Sequence, residues 1–297
     1  MFGFTHQLRV SNAQGLNVTF QGYTLERFKS RYVDPQGGDR GPFSTHTKYT
    51  QVMNNDLMDL SQRAVQRALA DSFIYARDAA AQAARYFAKR PGGIHRYADM
   101  AKIFRRHFKL ADPGNEQRDE VERVFAATSQ GLNGAVIVSD LFAAKDGQRG
   151  GGLVDGAEGQ VAFSADEDVA YLRDIMAPEN RDRSADVTRQ HLARSADAQI
   201  FIAFANMKFW NVAQMARVIL HEATHKFAFT GDYAYHSNDR DWNALTGANA
   251  VKNADSYAYG AVSVKASSAL SPDKIRRVSN PLISMNELRL IVPSMRG

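Results

Sequence analysis

The stretch NVAQMARVILHEATHKFA, residues 211–228, decides how the rest of the chain is read. Asn211 can cap a helix N-terminus, and neither Gly nor Pro interrupts residues 212–228, so the spacing predicts a helix. At about 100° per residue, His221 and His225 fall about 40° apart on one face, one turn from each other. Ile219 and Ala223 point nearly the opposite way. The helix is therefore expected to pack a stripe of Val212, Ala216, Ile219 and Ala223 into the core and to aim both imidazoles at one point. Two neutral imidazoles so spaced can take two corners of a zinc tetrahedron, and Glu222 can take a proton from a water that the metal acidifies. The competing reading is a buried helix whose histidines are hydrogen-bonded structural groups.

A catalytic zinc needs a third protein ligand and one open position. The extended pattern HExxHxxGxxH is absent, because position 228 is Ala and position 231 is Gly. The only glutamate after Glu222 is Glu287, in a segment without a helical pattern. Close by stand Asp232, His236, Asp239 and Asp241. Asp232 is the best candidate: it follows Thr230-Gly231, where the chain can turn sharply, and it precedes Tyr233-Ala234-Tyr235, with Tyr235 three residues beyond it. The alternative for this stretch is a tyrosine-rich turn packed on the helix end.

The chain has 297 residues, 44% hydrophobic and 23% charged, enough for one large or two modest globular units with a substantial core. Its longest apolar stretch, around 200–204, is far short of the roughly 20 residues of a membrane-spanning helix. No cysteine occurs, so disulfides and thiolate zinc sites are excluded and any metal must use His, Asp or Glu. The start MFGFTHQLRV lacks the pattern of a secretory leader, and Sec-type export is not expected. The net charge is +5. The basic residues are spread along the chain, which reads as a lightly basic solvated surface rather than a nucleic-acid face.

Along the chain, residues 1–52 read as an N-terminal extension or small subdomain, with strand-like alternation at 16–20 and a Gly/Pro-punctuated loop at 34–42. Residues 53–297 read as the main domain. Residues 56–90 form a helical run, with Leu57, Leu60, Ala64, Ala68 and Ile74 or Tyr75 near helical spacing, and further helices are expected at 97–109 and 116–128. Short strands are expected at 134–139, 159–164 and 198–205; residues 166–197 are either a helix pair or a long surface loop. After residue 262, the apolar LRLIVP segment is expected to dock back in extended form. The fold class is α+β, mostly helical, with a central HExxH helix and a small sheet.

HEATH, then TGDYAY, then Asn253-Ala254-Asp255-Ser256-Tyr257-Ala258-Tyr259 resemble the aspzincin metallopeptidases, the deuterolysin and peptidyl-Lys metalloendopeptidase group, whose signature is HExxH followed by GTxDxxYG. A Tyr86-Phe87 pair in the helical half is also similar, so the likeness covers roughly residues 55–262. It implies a zincin-like metallopeptidase of bacterial, cysteine-free type, with zinc held by His221, His225 and Asp232, Glu222 as general base and acid, and Tyr235 stabilising the oxyanion. The chain departs from the family in three ways. The interval from His225 to Asp232 is two residues shorter, Thr-Gly replaces Gly-Thr, and His236 stands for the glycine after the tyrosine, which keeps His236 open as a substitute ligand. In lysine-specific members an acid at the position of Asp255 resembles the floor of a lysine pocket, but their second acid is here Ala258. Asp255 can equally be read as the cap of the helix that Ser256 begins.

The resemblance implies a protein or peptide substrate and a zinc-dependent endopeptidase, with lysine preference as a further implication. The rival from another class is a catalytically inactive peptidase-like domain that binds protein partners. Aspzincin-like domains also occur on effector toxins exported without a leader, which adds a secretion machine and a cognate inhibitor as candidate partners and leaves a cytoplasmic location as the alternative.

Overall fold

The computed structural model describes residues 6–11, 15–22, 58–88, 97–141, 159–162, 177–194, 199–204 and 210–268, with 170, 173 and 174. In chain order these form β1 (His6–Ser11), β2 (Asn17–Gly22), α1 (Arg63–Phe87), α2 (Tyr97–His107), α3 (Asn115–Leu132), β3 (Val136–Asp140) and β4 (Gly159–Ala162). A 3₁₀ segment (Pro178–Arg183), α4 (Ser184–Arg194), β5 (Gln199–Ile202), α5 (Val212–Ala228), α6 (Asp239–Ala244), α7 (Gly247–Ala250) and α8 (Ala254–Ser268) complete the order. The described chain is mostly helical with one small mixed sheet. The expected loop at 34–42 and the LRLIVP segment lie outside the described residues.

The strand order is β1-β2-β3-β5-β4. β2 and β3 pair in parallel, as do β3 and β5, while β1 and β4 are antiparallel to their neighbours. β1 and β2 come from the first 52 residues, and β2 joins the sheet through Val18 opposite Val136 and Phe20 opposite Val138. In β2, Val18 and Phe20 are fully buried between half-buried Asn17, Thr19 and Gln21, the period of a strand with one face on a core. Phe20 meets Phe73 of α1 and Phe204 edge-on, which ties the sheet to the helices.

α5 runs through the middle of the helical layer, packed on α1, α3 and α8 and against β4 and β5. It is buried on nearly every side, and Val212 is only half-buried, so the expected one-sided stripe is replaced by an enclosed helix. On α1 the core stripe is Val65, Leu69, Phe73, Ala76, Ala80, Ala83 and Phe87, one position away from Ala64 and Ala68, because the larger apolar side chains choose the face. Phe87 stacks on Phe125 at 5.0 Å, and Phe108 and Tyr257 close on Phe125 edge-on at 6.3 and 5.1 Å, an aromatic block that seats α1, α3 and α8 around α5. The undecided stretch 166–197 forms, where described between 178 and 194, the 3₁₀ segment and α4.

Candidate metal centre

α5 begins as its sequence demands. The Asn211 side chain accepts from the Gln214 backbone N–H at 2.9 Å, and Gln214 accepts in return from the Asn211 N–H at 2.9 Å, a reciprocal cap. The helix ends at Phe229, which takes a left-handed conformation with φ 58°. That turn brings the Thr230 carbonyl back over the helix end, where it accepts from His225 Nδ1–H at 2.8 Å. Gly231 then passes so close to α4 that a Cβ would lie 2.6 Å from the Ala185 carbonyl oxygen. Asn253 holds the next residues, its Oδ1 accepting from the backbone N–H groups of Tyr233 at 2.9 Å and Ala234 at 3.0 Å. The loop so fixed delivers Asp232 to the histidines.

His221 Nε2 and His225 Nε2 are 3.0 Å apart, and Asp232 Oδ1 lies 3.0 Å from the first and 3.2 Å from the second. The protonation pattern is set on the far sides of the rings. His225 Nδ1 faces a carbonyl, which only accepts, and His221 Nδ1 faces Asp255 Oδ1 at 2.7 Å, so in the neutral imidazoles both protons sit on Nδ1. Two nitrogen lone pairs and a carboxylate oxygen then converge with no hydrogen between them, and Asp232 Oδ1 is buried without a hydrogen-bond donor. Either the rings take up further protons or a cation bridges all three. Zinc bonds of about 2.0–2.1 Å at tetrahedral angles separate ligand atoms by about 3.3–3.4 Å, close to this triangle, and the nitrogen and oxygen donors suit that ion. Among the described residues His221, His225 and Asp232 are the group able to hold a metal, with ligand atoms within 4.8 Å of one another.

The electrostatics reflect this crowding. Burial lowers His221 and His225, but the Asp232 carboxylate, joined at His221 by Asp255, outweighs it, so His221 stands well above the ordinary imidazole value and His225 above it. Burial raises Asp232, yet the two imidazoles beside it prevail and hold it well below the usual carboxylate range. Glu222, 3% exposed, is pushed by burial up to about 7, and its Oε2 has no partner. Its Oε1 lies 4.0 Å from His221 Nε2. Tyr235 is half-exposed, stacks on the His221 ring at 5.9 Å, and is held protonated by burial, by the Asp232 charge and by a hydrogen bond to Asp232.

Two further residues that the sequence singles out have partners of their own. His236 is turned from the triangle, its ring stacked on Tyr259 at 4.1 Å and tilted against Trp242 at 4.8 Å. Asp255 is 1% exposed, and both its oxygens accept within the protein, Oδ1 from His221 Nδ1–H and Oδ2 from the His236 backbone N–H at 2.7 Å. Arg217 Nη1 is 3.8 Å from Asp255 Oδ1, so the carboxylate already has a cation. Asn253, Asp255 and the Thr230 carbonyl thus support the three converging side chains. Only the NADSY motif hinted at the first two, and nothing in the sequence marked the carbonyl.

Residues 187–261 match the family model of the aspzincins, described as lysine-specific metallo-endopeptidases. No curated protein matches the chain. Among solved structures, a zinc peptidase from Grifola frondosa is similar at 14% identity and a TM-score of 0.42, covering 68% of this chain and 96% of that one. The matched segment carries the converging triad, Glu222 and Tyr235, so the site lies in the part of the chain that is similar to the aspzincin metallo-endopeptidases.

Proposed function

We propose that the chain hydrolyses peptide bonds at a zinc held by His221, His225 and Asp232, in a zincin-like arrangement of an HExxH helix beside a small sheet. The observation that carries this reading is the triangle of two imidazole nitrogens and one carboxylate oxygen at 3.0, 3.0 and 3.2 Å. Zinc there would supply Lewis acidity, acidifying water toward a pKa of about 7 and polarising a carbonyl oxygen. Glu222 takes up the proton and passes it to the leaving amine, a double task suited to a carboxyl pushed up to about 7. Tyr235, kept protonated, donates to the oxygen on which negative charge develops. Asp255 and the Thr230 carbonyl hold the Nδ1 protons, so both rings present Nε2 to the ion.

The hydrolytic unit includes the β1–β2 hairpin along with residues from 53 onward, since Phe20 belongs to the shared core. Lysine preference has the family description in its favour and the engaged Asp255 with the neighbouring Arg217 against it, so cleavage is expected without strict lysine selection. Export as an effector toxin rests on family analogy alone, and toxicity on expression in a target cell, abolished by Glu222→Gln, is its test. A non-catalytic binding domain has no use for a buried carboxyl without a hydrogen-bond partner at Oε2.

The deciding experiment measures zinc content and maps cleavage positions in a peptide mixture for the parent and for Glu222→Gln. The parent is expected to hold one zinc and cleave, and the variant to hold zinc and not cleave. A variant that cleaves as fast as the parent would remove Glu222 from the reaction.

A further inference from the structure

We infer that Gly159, the first residue of β4, is a positioning residue for Glu222: the side chain it lacks leaves the space that the Glu222 carboxylate occupies. The inference rests on the reading of Glu222 as proton carrier. A Cβ built on Gly159 would lie 2.7 Å from Glu222 Oε1, 2.9 Å from Glu222 Cγ and 2.8 Å from Val218 Cγ1. The backbone gives no separate reason for glycine, because among the described glycines only Gly15 has a positive φ. Alanine would suit the strand and is refused by space alone.

Neither wall can easily retreat. Gly159 is paired opposite Ile202 in the antiparallel ladder with β5, and withdrawing it would break that ladder. α5 is hemmed in by α1, α3 and α8 on its other sides. The part free to move is the Glu222 side chain, whose Oε2 no hydrogen bond holds. An added methyl therefore displaces the carboxylate while leaving His221, His225 and Asp232 in place. Misplacing a reacting group by about 1 Å costs on the order of 100-fold in rate.

The test is Gly159→Ala in the full chain. Zinc stoichiometry and KM are expected to match the parent, and kcat to fall about 10- to 100-fold. A readout independent of the loaded enzyme is the Tm of the metal-free protein, for Gly159→Ala alone and combined with Glu222→Ala or with Val218→Ala. Gly159→Ala alone should lower Tm, Glu222→Ala should remove most of that loss, and Val218→Ala should remove less. If Gly159→Ala alone does not fold, recovery by Glu222→Ala beyond that by Val218→Ala supports the inference in the same way. An unchanged kcat, a loss of zinc, or recovery by Val218→Ala equal to or greater than that by Glu222→Ala overturns it. A parent without zinc or peptidase activity would refute the proposed function instead, and the metal-free Tm values would still decide whether Gly159 makes room for Glu222.

Discussion

Replacing Asp255 by Asn separates two roles for the same residue. The substitution preserves the shape of the side chain and removes its charge. In the structure that charge lies 2.7 Å from His221 Nδ1, in a bond that fixes the proton on Nδ1 and raises the basicity of Nε2. Partners of this kind are worth about 10- to 100-fold in metal affinity, or about 1.4–2.7 kcal/mol. The upper end is expected here, since Asp255 is 1% exposed and water cannot substitute for it. Competition with a chelating indicator at fixed pH gives the zinc Kd of parent and variant, and a peptide library digested by both gives their preferences around the cleaved bond. Zinc affinity within about threefold of the parent, together with a loss of lysine bias, would refute the orienting role and make Asp255 the floor of a lysine pocket.

Zinc affinity is expected to rise with pH and binding to release protons near neutrality, because the Asp232 charge overcomes burial to hold His221 and His225 above the ordinary imidazole value and both must be neutral to ligate; calorimetry in two buffers of different ionisation heat checks this, and zero release contradicts it. By the same shifts, the histidines stabilise the metal-free fold fully below about pH 6.5 and lose that contribution as pH rises through their folded-state values, as denaturation midpoints across that range would show. Tyr235→Phe should lower kcat about 100- to 1,000-fold with little change in KM, since the donor acts on charge that develops in the transition state; an equal rise in KM with constant kcat would mean a ground-state contact. Phe125→Ala should cost about 3–5 kcal/mol by emptying the centre of the aromatic block, read as a lower urea midpoint.

The amino-acid sequence by itself determined α5 and the side chains it carries to the candidate site. Capping by Asn211, the four-residue spacing of His221 and His225, the adjacent Glu222, and the Thr-Gly turn before Asp232 are all encoded within 22 residues, because helix period, cap and turn are short-range properties of the backbone. What the sequence left open depended on contacts between distant segments. His221 finds Asp255 34 positions away, an interaction no local pattern specifies, and so a residue legible in the sequence as a substrate contact or a helix cap is hydrogen-bonded to a histidine of the candidate metal centre. The buried face of α1 is that of Val65, Leu69 and Phe73, since alanines occupy several faces of that helix and only packing against the sheet and α5 selects one. The pairing of β2 with β3 and the closeness of Gly159 to Glu222 belong to the tertiary structure for the same reason: strand partners and the space around a side chain are set by whole elements meeting, after each has taken its local form.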